Sequence, residues 1–221
     1  MTLRDFFHSL VPLANRDLYI HSVVCEKLNR FLMDLCLREK PELLGSLSGE
    51  QEDLLDFAGD AGLLHDIGLL LYPQVYITPI RLRLQSEEEF RQRHTFHGSE
   101  LLSKHPSSRR CAWVALGHHY PAGYPEEYRR EEDPTPLLTD MTILSNFLSK
   151  SICGFNPDLS KQDTLERCLS QIQNNPEGRF HPFLARLVCA HGEELAQTIQ
   201  TITRELYTSL WQSFCLPQNP V

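Results

Sequence analysis

The sequence lacks the features by which several protein classes are recognised. Its seven cysteines are odd in number and scattered, and no C-x-x-C pair occurs, so no zinc ribbon is indicated and reduced thiols are expected. The first residues, MTLRDFFHSL, contain no long apolar segment of the kind found in signal peptides. No apolar run approaches the roughly 20 residues that a membrane-spanning helix needs. We therefore expect a cytoplasmic protein that does not bind membranes.

Positive charge is also scarce. Lys and Arg number 21 against 29 Asp and Glu, which gives a formal net charge of -8. Nucleic-acid polymers and anionic membranes are polyanions, so this balance argues against non-specific binding to either. A small anionic ligand held by local cations or by a metal is still compatible with the charge. The 41% of hydrophobic residues in a chain of 221 suffices for one sizeable core.

Strand-type alternation is hard to find, and helical periodicity dominates instead. A spacing of three to four residues between apolar positions predicts a long helix over 16–39, and Pro41 ends it. Ser48 begins a capping box that opens a helix as far as His65, and Gly68 is expected to help end this helix. The other predicted helices are a short one after Thr2, one from Ser86 to about Lys104, one through 112–116, one after Thr135, one over about 160–174 and one over about 182–214.

The sequence shows no linker, internal repeat or low-complexity segment that would divide the chain. We therefore predict one all-α domain, a helical bundle over residues 1–190, with a C-terminal helical extension over 191–221 that packs on the same domain. The apolar stripe of this extension could also serve a dimer contact, and packing on the domain is the favoured interpretation. The stripe consists of Leu195, Ile199, Ile202, Leu206 and Leu210.

Histidines and aspartates break the amphipathic pattern, mostly near helix ends. His65 and Asp66 stand side by side in the apolar run AGLLHDIGLL, where they are costly to bury without a hydrogen bond, a proton relay or a metal. Each such residue alone is more often structural than a ligand, but their number in one helical chain favours metal binding. Imidazoles and carboxylates together suit Zn, Fe and Mn, and the full set could hold two or more ions. The other members are Asp17, His21, His94, His97, His118, His119 and Asp140.

The order of these residues resembles that of a known family. His21, then His65 with Asp66, then Asp140 is similar to the HD-domain metal-dependent phosphohydrolases. The segments AGLLHDIG, RHTFHG, ALGHHY and GYP narrow the resemblance to the HD-GYP subfamily, and RFHPFLARLV is similar to that family's closing segment. Members of the subfamily are all-α HD-domain bundles. They hydrolyse cyclic di-GMP, a bacterial second messenger, at a centre of two or three metals, often iron or manganese.

The resemblance implies a function and a set of site residues. It implies a phosphodiesterase that hydrolyses cyclic di-GMP to pGpG or GMP with a metal-activated water, with His65 and Asp66 as catalytic residues and two or three Fe or Mn ions as cofactors. Gly123 and Tyr124 of the GYP segment would bind the substrate, or the turn would only pack on the domain. The implied metal ligands are Asp17, His21, His65, Asp66, His94, His118, His119 and Asp140.

The chain departs from the family pattern mainly where the ligand would be held. HDIGL replaces HDIGK, so that Leu69 stands where a phosphate-contacting lysine is expected, and HHYPAGYP is shorter than the usual HHExxDGxGYP. An arginine that the family often carries after the helix with Asp140 is absent from FLSKSICGF, and Lys150 is the nearest cation. Asp17 replaces a glutamate of the trinuclear members, so it is either a ligand or a residue that orients His21. His97 lies outside the ligand pattern.

Three functions are compatible with this pattern. The first is a working phosphodiesterase that is weakened by Leu69, since a lost charge-assisted hydrogen bond costs on the order of 1.5–3 kcal/mol. The second is a metal-containing module that binds a cyclic dinucleotide or acts as a scaffold with little catalysis. The third is an HD nucleotide phosphohydrolase of other specificity. The expected partner is a cyclic dinucleotide or another small phosphate ester, with a homodimer or a signalling protein as a further expectation.

Overall fold

A computed structural model describes residues 2–45, 47, 50–71, 87–119, 135–153, 161–175 and 178–215. This part of the chain forms nine α-helices and no strand, which confirms the all-α prediction. No helix in it is both long enough and apolar enough to cross a membrane. The helices are α1 (Leu3–Ala14), α2 (Arg16–Glu39), α3 (Gln51–Leu64), α4 (Glu87–Lys104), α5 (Ala112–Gly117), α6 (Pro136–Cys153), α7 (Lys161–Asn174), α8 (Pro182–Ala190) and α9 (Gly192–Cys215).

Side-chain hydrogen bonds cap the N-termini of α1 and α2. Thr2 and Asp5 form a capping box, in which the Thr2 hydroxyl accepts a bond from the Asp5 amide at 3.0 Å and the Asp5 carboxylate accepts one from the Thr2 amide at 2.8 Å. The side-chain oxygen of Asn15 accepts a bond from the Leu18 amide at 3.0 Å and so caps α2. The second helix ends before Pro41, and the prediction for 16–39 is confirmed.

The second helix lies at the centre of the fold. It packs against α1, α3, α6, α8 and α9. Leu28, Leu32 and Leu35 recur at a spacing of three to four residues and are fully buried, as an amphipathic helix with a wide apolar face requires. Leu195 and Ile199 of α9 are buried in the same core. The α2 helix therefore holds its polar side chains on a well-packed support.

Two helix boundaries differ from the sequence prediction. The third helix begins at Gln51 with Glu50 as its N-terminal cap residue, whose side chain makes no capping bond, and Ser48 lies outside the described residues. The single helix predicted over 182–214 is divided into α8 and α9 by a turn at His191. The His191 imidazole lies 2.8 Å from the Glu194 carboxylate in the first turn of α9, which favours a new helix start there.

Two glycines let backbones approach closely at the end of α3. The prediction that Gly68 helps to end this helix is wrong, since α3 ends at Leu64 and Gly68 lies within a 3₁₀ turn over Ile67–Leu71. A Cβ on Gly68 would lie 2.7 Å from the Gly98 amide nitrogen on α4, and a Cβ on Gly62 would lie 2.7 Å from the Cys25 carbonyl carbon on α2. Only glycine permits these contacts, which hold the end of α3 against α2 and α4.

Candidate metal centre

Five histidines and one aspartate meet at the C-terminal end of α3. His65 and Asp66 form the turn after this helix, and both are almost fully buried. The α2 helix supplies His21 and α4 supplies His94, while the end of α5 supplies the adjacent pair His118 and His119. Each of these elements therefore brings its polar side chain to the same end of the bundle, and the role of the six residues as ligands is still a prediction.

The Asp66 carboxylate lies between two sets of imidazoles. One oxygen, Oδ2, is 3.3 Å from His65 Nε2 and 3.5 Å from His21 Nε2. The other oxygen, Oδ1, is 3.1 Å from His118 Nε2 and 3.3 Å from His94 Nε2. A carboxylate whose two oxygens face separate sets of nitrogen donors has the arrangement of a ligand that joins two cations.

Backbone carbonyls fix the orientation of two of these rings. His65 Nδ1 donates to the Gly62 carbonyl oxygen at 2.7 Å, and His118 Nδ1 donates to the Ala115 carbonyl oxygen at 2.9 Å. In the neutral ring this bond places the proton on Nδ1 and leaves the Nε2 lone pair directed at Asp66. Metal-binding histidines commonly donate their second nitrogen to a carbonyl in this way, which fixes the tautomer and the ring plane.

The contact between His118 and Asp66 lacks the geometry of a hydrogen bond. His118 Nε2 and Asp66 Oδ1 are only 3.1 Å apart, yet neither atom has a hydrogen-bond partner within the described part of the chain. With its proton on Nδ1, His118 presents a lone pair to a carboxylate oxygen, so two acceptors face each other in a buried space. Buried polar atoms are rarely unsatisfied, and a cation between them would satisfy both. The donor set therefore fits a divalent metal.

Electrostatics in the cluster favours positive charge. Burial alone would raise the pKa of Asp66, but the imidazoles around it hold that pKa well below its usual range when they carry a proton. Burial lowers the pKa of His118 to about 3 and also lowers that of His119, so these rings are neutral at pH 7. Burial alone would lower the pKa of His21, but the Cys25 sulfur and the Asp66 carboxylate raise it to about 9. The Asp66 carboxylate therefore stabilises positive charge beside it.

The ligand atoms fall into two groups. Those of one group lie within 4.8 Å of one another, and so do those of the other group. The two groups lie on opposite oxygens of the same carboxylate, which is the arrangement that two adjacent ions would need. The first group consists of Asp66, His94, His118 and His119, and the second consists of His21, Cys25 and His65.

Four further residues predicted for the site belong to neither group or lie outside the described part. Asp17 is exposed on α2, one turn before His21, and is a member of neither group among the described residues. Asp140 is buried on α6 and likewise belongs to neither group. Gly123 and Tyr124 lie outside the described residues. The proposed roles of these four residues remain predictions.

The structure also describes His97 and Leu69, which lie close in the sequence to predicted ligands. His97 lies on α4 like His94, but its side chain is 42% exposed and its Nδ1 is 3.5 Å from the Glu100 carboxylate. It therefore points away from the buried cluster. Leu69 is partly buried and packs against the hydrophobic core, and its amide donates to the Asp66 carbonyl oxygen at 2.9 Å. An apolar side chain there offers no hydrogen bond to a phosphate.

Cys25 is a member of the cluster that sequence reasoning missed. Its sulfur lies 3.8 Å from His21 Nε2, and the residue is fully buried. A cysteine in an apolar helix is usually a core residue, so the thiol alone gave no signal. The spacing from His21 could have revealed it, because residues four apart share one face of a helix.

Comparisons of the chain with protein-family models, with curated proteins and with solved structures give no match. The likeness to HD-GYP proteins therefore rests on the motifs and on their order along the chain. The structure adds an independent observation, which is the buried His/Asp cluster suited to metal binding. Any function of the chain has to be argued from this cluster.

Proposed function

We propose that this protein is a metal-dependent phosphodiesterase of the HD type that hydrolyses cyclic di-GMP to pGpG or GMP. One observation carries the proposal. The Asp66 carboxylate is 3% exposed, and its two oxygens face two separate sets of imidazole nitrogens. Paired metal positions of this kind are typical of enzymes that hydrolyse phosphate esters. The motifs that resemble the HD-GYP subfamily supply the choice of substrate.

The residues of the centre have distinct roles in this proposal. When bound, two divalent ions, iron or manganese, supply an activated water and neutralise charge that develops on the phosphoryl oxygens. Asp66 and the imidazoles around it would hold the ions, while the Gly62 and Ala115 carbonyls hold the His65 and His118 rings in place. Burial of these side chains excludes bulk water and strengthens their electrostatic effect. Asp17 and Asp140 would complete the ligand set, and Gly123 and Tyr124 would contact the substrate.

A second function is favoured by Leu69. Its side chain packs against the core and supplies neither charge nor donor where the family pattern has a lysine. A protein with an intact metal centre but a weak hold on phosphate could bind a cyclic dinucleotide with little turnover and signal through a partner. The same observation is compatible with hydrolysis of a different nucleotide. These alternatives differ in turnover, which an assay can separate.

The test uses full-length protein prepared with iron or manganese. We expect metal-dependent release of pGpG or GMP from cyclic di-GMP, followed by chromatography. Asp66→Asn should abolish this release, whereas His97→Ala should leave it unchanged because His97 is directed away from the cluster. Binding of cyclic di-GMP without turnover at full metal occupancy would contradict the enzyme and support the binding module. Turnover of mononucleotides alone would support another phosphohydrolase.

Leu69→Lys tests the departure from the family pattern directly. If the side chain faces the substrate, a lysine should strengthen phosphate binding by about tenfold or more, since a charge-assisted hydrogen bond contributes on the order of 1.5–3 kcal/mol. Leu70→Lys is the matched control, because Leu70 is the next residue, is also partly buried and packs against the same core. Equal effects of the two substitutions would place Leu69 outside the substrate site.

A further inference from the structure

One thiol lies inside the histidine cluster. Cys25 is fully buried on α2, one helical turn after His21, and its Sγ is 3.8 Å from His21 Nε2. The sulfur, His21 Nε2 and His65 Nε2 all lie within 4.8 Å of one another. The resemblance to HD-GYP proteins assigns no role to this position, and its contacts with imidazoles are unlike those of a packed core cysteine.

The close approach of α3 to α2 places Cys25 there. A Cβ on Gly62 would lie 2.7 Å from the Cys25 carbonyl carbon and 2.9 Å from the Glu26 amide nitrogen, so glycine is required at this crossing. The Gly62 carbonyl oxygen also accepts the bond from His65 Nδ1 at 2.7 Å. Gly62 therefore sets both the distance between α2 and α3 near the thiol and the direction of the His65 imidazole that faces the thiol.

The distances from His21 to His65 and to Cys25 match two edges of a tetrahedral metal site. Ligand distances of about 2.0–2.1 Å for nitrogen or oxygen and about 2.3 Å for sulfur imply tetrahedral edges of about 3.3 Å between nitrogens and about 3.6 Å from nitrogen to sulfur. His21 Nε2 is 3.3 Å from His65 Nε2 and 3.8 Å from Cys25 Sγ. Asp66 Oδ2 lies next to this pair of imidazoles, 3.3 Å from His65 Nε2 and 3.5 Å from His21 Nε2, but it is not a member of the group that contains Cys25.

A second observation is that two buried atoms next to these donors have no hydrogen-bond partner among the described residues. The unpartnered atoms His118 Nε2 and Asp66 Oδ1 lie on the other side of the same carboxylate and are almost fully buried. His65 Nε2 is also buried, and its ring already donates to a carbonyl through Nδ1. A thiolate in this surrounding would be one more donor for a metal.

We infer that Cys25 is a metal ligand, and that the two metal positions therefore have different donor sets. The position near Oδ2 has one sulfur and two imidazoles, from Cys25, His21 and His65. The position on the Oδ1 side has three imidazoles and one carboxylate oxygen. A thiolate favours zinc or ferrous iron over manganese, so the sulfur position selects a softer ion than its neighbour. The inference rests on the metal centre of the proposed function but does not depend on the substrate.

Cobalt(II) titration of metal-free, full-length protein under anaerobic conditions tests this ligand. Thiolate coordination gives cobalt an intense near-ultraviolet charge-transfer band that imidazole and carboxylate ligands do not give. We expect about two cobalt ions per chain and this band in the wild type. Cys25→Ser should remove the band and weaken binding at one position by at least about tenfold. Cys36→Ser is the matched control, because Cys36 is fully buried on the same helix, about 16 Å further along its axis.

The possible outcomes separate the role of Cys25 from the existence of the metal centre. Two bound cobalt ions without the band would overturn the role of Cys25 and leave the metal centre intact. A band that persists in Cys25→Ser would likewise overturn it, since another thiol would be the ligand. No cobalt binding at all would overturn both the inference and the metal centre of the proposed function. If Cys25→Ser fails to fold, X-ray absorption of the wild-type zinc protein decides, since the inference requires a sulfur neighbour at about 2.3 Å and its absence would refute it.

Discussion

A methyl group added at Gly68 should disturb the metal centre without replacing any ligand side chain. In Gly68→Ala, the new Cβ would lie 2.7 Å from the Gly98 amide nitrogen and closer still to the His94 carbonyl oxygen. Ordinary van der Waals contact begins at about 3.4 Å. Both neighbours are helix backbone, so no side chain can rotate away to make room. The backbone of α4 therefore has to move away from the turn that follows α3.

The size of this movement sets the expected effect. The contact with Gly98 requires a shift of at least about 0.7 Å, and the contact with His94 requires more. His94 Nε2 is 3.3 Å from Asp66 Oδ1, so a shift of this size is a large fraction of the spacing between the ligand atoms. Overpacking of this kind costs about 1–3 kcal/mol of unfolding free energy. We expect metal affinity to fall by about 10–100-fold, as it does when support of a ligand is lost.

Gly45→Ala is the matched control for this substitution. A Cβ on Gly45 would meet only the Glu42 carbonyl oxygen at 3.4 Å, which is an ordinary contact, and its φ of -55° suits alanine. Denaturant unfolding of the metal-free proteins gives the change in stability, and titration against a competing chelator gives the metal affinity. If Gly68→Ala matches Gly45→Ala in both measurements, then the close approach does not hold the ligands in place.

Other substitutions probe the cluster and the charged residues behind it. His94→Ala should lower metal affinity by at least about tenfold, whereas His97→Ala on the same helix should not, and equilibrium dialysis compares them. Glu26→Gln should cost about 1–3 kcal/mol of unfolding free energy, because the buried Glu26 carboxylate pairs with two arginines. Asp34→Asn removes a charge from an exposed ion pair and should cost less than about 0.5 kcal/mol. Equal losses in denaturant unfolding would contradict this difference. The metal-free protein should lose stability as pH falls below about 6.5. Burial lowers the pKa of His118 to about 3, so the unfolded chain binds a proton in this range that the folded chain does not bind. Equal unfolding free energies at about pH 7 and about pH 5 would refute this prediction.

Helices with strong local signals could be predicted from the sequence. The prediction for 16–39 has the correct bounds, because apolar residues recur there at helical spacing and Pro41 stops the pattern. The break at His191 was missed, because apolar residues continue at helical spacing on both sides of it. Periodicity reports which residues face a core, but it does not register a single turn that changes the path between two helices.

Part of the candidate site could likewise be predicted from the sequence, and part of it could not. The residue types at His65 and Asp66 indicated a metal, because an imidazole and a carboxylate in an apolar run need a partner. Which oxygen faces which ring could not be predicted, since it depends on the packing of four separate helices. Gly62 and Gly68 had no visible role in the sequence either, because their function is to let two backbones approach. Cys25 was overlooked for a similar reason, as its neighbours become apparent only when α3 meets α2.

The number of metal ions per chain tests the central claim most directly. Protein expressed with iron and manganese supplied can be purified without chelators and its metals counted by elemental analysis. We predict about two ions per wild-type chain, one on each side of the Asp66 carboxylate, and fewer than one in Asp66→Asn, because that variant removes the oxygen shared between the two positions. Fewer than one ion per wild-type chain would contradict the metal centre.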